Sequence, residues 1–86
     1  MTISIVNKED FILAMKSLRE GNVEFIAAGS MAKLNGRPAI EIVEDDDDIL
    51  GIAHQQMYAI SKLEKAGIKY SVHEETIDEL EADAIS

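Results

Sequence analysis

Residues 23 to 43 read VEFIAAGSMAKLNGRPAIEIV, and the turn inside this stretch decides the fold. Asn35-Gly36 suits a two-residue type I′ turn because both positions tolerate positive φ, so residues 23 to 34 and 37 to 43 are expected to form a hairpin. With that loop Leu34 faces Arg37, Ala32 faces Ala39, Met31 faces Ile40 and Gly29 faces Ile42. This register gathers Val23, Phe25, Ala27 and Met31 on the side of Ile40 and Ile42, so turn chemistry and apolar pattern agree on one core face. Pro38 lacks a ladder donor but stands at the start of its strand, where that is tolerated, and Gly29-Ser30 is the candidate for a bulge.

On the N-terminal side, TISIV (residues 2 to 6) alternates, with Ile3 and Ile5 facing one way and Thr2, Ser4 and Val6 the other, as in a short strand. Asn7 changes the period. It is placed to cap a helix over Lys8 to Glu20, with Asp10 three residues on and Val6 positioned to staple against Phe11. Phe11, Ala14, Met15 and Leu18 form its apolar stripe, and Gly21 is expected to supply the left-handed residue that ends it.

On the C-terminal side, the acidic run Glu44 to Asp48 leads into Ile49, Ala53, Met57, Ile60 and Leu63, spaced by three and four as in a second amphipathic helix ended by Gly67. IKYSV (residues 68 to 72) alternates again, with Ile68, Tyr70 and Val72 on one face of a fourth strand. Thr76 and Glu79 have capping-box spacing, which makes residues 76 to 86 an acidic C-terminal tail or short helix with Ile77, Leu80 and Ala84 on one side. Residues 1 to 75 form the single sandwich domain.

The order strand, helix, strand, strand, helix, strand predicts an α+β two-layer sandwich. It is the ferredoxin-like βαββαβ arrangement, with two helices on one face of a four-stranded antiparallel sheet. The other face is then open, and the pattern puts Val6, Ile26, Ala28 and Val43 on it among Ser4, Ser30 and Glu41. An apolar cluster of this kind marks an interface more often than an accident.

A chain of 86 residues, 47% hydrophobic and without cysteine, must cohere by packing and hydrogen bonds. No basic-then-apolar leader is visible and no run approaches the roughly 18 apolar residues of a membrane span, so a soluble cytoplasmic protein is expected. The net charge of −9 disfavours direct contact with nucleic acid or an anionic membrane. It is also segregated: residues 1 to 43 balance five bases with five acids, whereas residues 44 to 86 hold 12 acids and three bases. Such asymmetry leaves an acidic face for a basic partner.

Each chemical motif has a plainer reading. Asp45, Asp46, Asp47 and Asp48 are contiguous, whereas a calcium loop spreads its ligands around a sharp glycine turn, so they are read as opposing a helix dipole and no metal site is assigned. His54 and His73 lack partners at metal-ligand spacing and any group to orient them as bases. Gly29, Ser30 and Gly36 make neither a phosphate loop nor a nucleophile elbow. With four aromatic residues in all, an RNA-stacking sheet is not supported. No catalytic residue and no cofactor is assigned.

The expectation is therefore a small acidic protein-protein interaction module. It would regulate or inhibit a larger protein, such as one with a basic nucleic-acid groove, as inhibitors encoded by viruses of bacteria do. The residues assigned to the partner are Ile26, Ala28, Val43, Glu44, Asp45, Asp46, Asp47, Asp48, Glu74, Glu75, Asp78 and Glu79. The alternatives are a homodimer joined through the open sheet face, sensing or acting on a metabolite at the joint, and a structural subunit of a larger assembly.

Overall fold

Alternation in the first residues does give a strand, β1 (Thr2–Ile5), in a computed structural model that describes the backbone of residues 1–44 and 49–85 and the side chains of 1–44 and 50–81. The remaining elements are α1 (Lys8–Glu20), β2 (Phe25–Met31), β3 (Arg37–Ile42), α2 (Ile49–Lys65), β4 (Tyr70–His73) and α3 (Ile77–Ile85). The strands form one sheet in the order β2-β3-β1-β4, and every neighbouring pair is antiparallel.

Alternate residues of the central strands point to opposite faces. On one side Ile3, Ile5, Ile40 and Ile42 meet Phe11, Ala14 and Leu18 of α1 and Ala59 and Leu63 of α2, forming the main core. The other side is a smaller core, in which Ile77 and Leu80 of α3 pack with Ala39 and Met31. That second contact changes the expected picture of an open face. Thr2, Ser4 and Ala39 have at most 4% of their surface exposed. Thr2 Oγ1 donates to the Glu75 carbonyl, and the Ile77 N–H donates to Glu41 Oε1 at 2.7 Å. The C-terminal segment is thus a helix held to the sheet, started by the reciprocal cap that its sequence implies. Glu79 N–H donates to Thr76 Oγ1 and Thr76 N–H to Glu79 Oε2, both at 3.2 Å.

The hairpin keeps its core face but not its register. Ile40 faces Ala27 and Ile42 faces Phe25, four residues from the expected partners. The reason lies in the turn: Asn35 and Gly36 do take positive φ, but they close a 3-10 turn at Ala32–Leu34 instead of a bare two-residue loop. Gly36 N–H reaches the Met31 carbonyl at 2.9 Å and Asn35 N–H that of Ala32 at 3.1 Å. A shift by an even number leaves Phe25 on the side of Ile40 and Ile42. Between the pairs Ala28–Ala39 and Met31–Arg37, β2 carries one residue more than β3, a bulge at Gly29-Ser30. It turns Met31 away from Ile40 and into the second core, correcting its expected place.

Two helix details also differ. Asn7 caps α1 as expected, its side chain accepting from Asp10 N–H at 2.8 Å. The left-handed residue at the other end, however, is Asn22 (φ 59), while Gly21 has an ordinary φ of −86. Gly21 is small for another reason, since a Cβ there would stand 3.0 Å from Lys62 Cε and 3.2 Å from the Tyr58 ring. In α2 Ala59 and Leu63 enter the main core, Ile52, Gln56 and Ile60 are half-buried, and Ala53 and Met57 are exposed. Gln56 stands inside the packed stripe, which is why an apolar count favoured its neighbour. Gly67 (φ 72) does end α2, with Ile68 N–H bonded to the Leu63 carbonyl. No helix among the described residues is long and apolar enough to cross a membrane.

Candidate functional site

β4 runs antiparallel to β1 at a sheet edge, with Thr2 opposite His73 and Ser4 opposite Ser71. The chain then turns through Glu74 and Glu75 into the cap of α3, so the acids leave the sheet beside the N-terminus of β1. Three depressions follow one another along this border. Glu74, Glu75 and Glu79 line the first with Val72 and His73, in about 470 Å³. Val72, His73 and Glu74 are shared with the second, which adds Met1, Glu44 and Gln56. Met1 and Glu44 are shared with the third, which adds Ile26, Glu41, Ile42, Val43 and Thr76. The three adjoin through these shared residues, with three glutamates in the first and Ile26, Ile42 and Val43 beside Glu41 and Glu44 in the third.

Along this border, Glu44 Oε1 pairs with the Met1 ammonium at 2.9 Å and also accepts from Gln56 Nε2. The ammonium hydrogen bond holds the Glu44 carboxyl below the usual carboxylate value; desolvation by burial opposes it, and the Gln56 hydrogen bond and the ammonium charge add to the lowering. Glu79 and Glu41 each spend an oxygen on a backbone N–H of the α3 start. Nothing comparable engages Glu74 and Glu75, whose side chains are exposed and carry no bonded partner among the described residues.

Of the residues assigned to a partner from sequence, the structure thus brings together Ile26, Val43, Glu44, Glu74, Glu75 and Glu79. Ala28 is separate, half-buried against the second core. Asp78 is exposed on α3 but lines none of the depressions. Asp45, Asp46, Asp47 and Asp48 lie outside the described residues. Met1, Gln56, Val72 and His73 were not anticipated. A polar Gln56 in the packed stripe of α2 was the one signal in the sequence, and it becomes readable once Glu44 is beside it.

His73 Nε2 lies 3.0 Å from Ser4 Oγ. This pair does not make an accessible nucleophile, because Ser4 is 4% exposed and no group among the described residues orients the other imidazole nitrogen. No cluster of three metal-binding side chains occurs among the described residues. No protein-family model, curated protein or solved structure matches the chain, and its function is argued from its own geometry.

Proposed function

We propose that the protein is an acidic interaction module that receives a cationic segment of a larger protein and thereby regulates or inhibits it. The observation that carries this reading is the row of adjoining depressions in which the exposed carboxylates of Glu74 and Glu75, without a bonded partner among the described residues, stand beside Glu79 and Glu44 and then Ile26 and Val43. Lysine and arginine suit such a surface, since their aliphatic stems lie along apolar side chains while the charged heads reach carboxylates. Clustered charge of one sign also speeds encounter with an oppositely charged partner. No catalytic role is part of the reading, and an intracellular setting suits a chain without cysteine.

The frame is read as ferredoxin-like. The sheet order taken from the β4 edge is 4-1-3-2 with antiparallel neighbours, as a split βαβ pair requires, and α1 and α2 share one core. α3 is an addition to that frame, and it carries Glu79 to the groove.

A fluorescent peptide rich in lysine and leucine is the probe. Its anisotropy on titration should report binding at about 0.1 M salt that weakens about tenfold near 1 M, as the screening length falls from about 10 Å to about 3 Å. The double substitution Glu74→Gln and Glu75→Gln should weaken binding by a similar factor at low salt. Equal binding by this variant and the parent would remove the acidic groove from the account.

A further inference from the structure

The turn that displaced the hairpin register also builds a second recess, on the other side of His73 from the acidic groove. It holds about 240 Å³ and is lined by Ser4, Lys33, Leu34, Asn35, Arg37, Ser71 and His73. Its composition is unlike the rest of the molecule. None of the acidic side chains among the described residues lines this recess, whereas two of the eight basic ones do, together with two hydroxyls, an amide and an imidazole. No carboxylate among the described residues pairs with the Arg37 guanidinium.

We propose that this recess binds a small phosphoryl anion. The inference stands apart from the acidic groove and does not depend on it. Its exposed polar groups come from separate elements: Asn35 from the turn, Arg37 from the start of β3 and Ser71 from β4. Donors converging from several directions match a tetrahedral oxyanion better than a planar carboxylate, and the guanidinium fork engages two oxygens at once. A recess of about 240 Å³ that opens to solvent has room for a phosphoryl group with part of its hydration. Ser4 and His73 form the floor of the recess, joined by their hydrogen bond. When Nε2 accepts from the buried Ser4 hydroxyl, the other ring nitrogen carries the hydrogen, so this contact fixes the orientation of the imidazole on the recess wall.

The geometry of the turn is what makes the recess. A bare two-residue loop would have left Lys33 and Leu34 inside β2 as ladder residues. The 3-10 turn lifts them off the strand, and the left-handed Asn35 (φ 58) ends it beside β3.

The test is a titration of the 15N-labelled protein with inorganic phosphate at constant ionic strength and pH, followed by amide shifts, with chloride and acetate as controls. Saturable shifts are expected at Lys33, Asn35, Arg37 and Ser71, with phosphate binding at least about tenfold more tightly than acetate. Arg37→Gln and, separately, Ser71→Ala should each weaken phosphate binding at least about threefold while the remaining amides keep their positions. Glycerol phosphate distinguishes the source: tighter binding than phosphate points to a phosphorylated small molecule, and equal or weaker binding to the free ion. Both results support a phosphoryl site. Shifts that do not saturate, that appear equally around Lys8, Lys16 and Lys69, that acetate reproduces, or that survive Arg37→Gln would overturn it.

Discussion

Asn22 and Asn35 hold backbone that most residues avoid, with φ near +60, and each ends a helical segment by letting the following N–H reach back to a carbonyl five residues earlier. Asn22→Ala should cost about 1 to 2 kcal/mol in urea denaturation, the left-handed penalty of a residue with a Cβ. Asn22→Gly should stay within about 0.5 kcal/mol of the parent, because glycine meets no such penalty. Two titrating groups set opposite pH limits. Glu44 has a folded pKa below its ordinary 4.5, so its contribution is fully present above that value and is lost as the pH falls through the folded one. Tyr70 donates to Glu64 Oε1 at 2.8 Å, and this bond, which favours the protonated phenol, raises its pKa above 10.0. Its contribution is present below pH 10 and disappears as the pH climbs through the raised value. Urea melts across pH should therefore show a shallower acid decline in Glu44→Gln and a shallower alkaline decline in Tyr70→Phe.

α3 was legible as a capped segment but not as a packed one. The capping box is local, written in Thr76 and Glu79, and it formed as written. The burial of Ile77 and Leu80 depends on where Met31 and Ala39 face, which the bulge at Gly29-Ser30 decides. Leu80→Ala should cost about 2 to 5 kcal/mol, as deletions from a filled core do, against a change within about 0.5 kcal/mol for the exposed Leu50→Ala. A tail lying loosely on the sheet would give two small and similar values. The register error has a comparable origin. Asn35-Gly36 announced its positive φ correctly, but that conformation ends a 3-10 turn as readily as it makes a two-residue loop, and the pattern of β2 tolerates either because the shift is even. In α2, Gln56 concealed the stripe that packs, since its partner Glu44 is distant in sequence.

Across the molecule, charge and apolar surface are arranged in two compartments that meet at His73, an acidic groove on one side and a cationic recess on the other. Carboxylates gathered on one border of the fold repel one another. Glu74→Gln with Glu75→Gln should therefore raise the melting temperature, by a stability gain of up to about 1 kcal/mol at low salt that vanishes near 1 M. Loss of peptide binding together with a gain in stability would separate recognition from folding. The α+β class, the number and order of strands, the caps at Asn7 and Thr76 and the excess of acid after residue 43 were all present in the chain, because propensity, periodicity and capping act over a few neighbouring residues. The register of β2 on β3, the face that α3 covers, and the meeting of Glu44 with Gln56 and of Ser4 with His73 followed only from the assembled sheet. Those contacts join residues far apart in the chain, and a bulge of one residue is enough to choose which side chains they bring together.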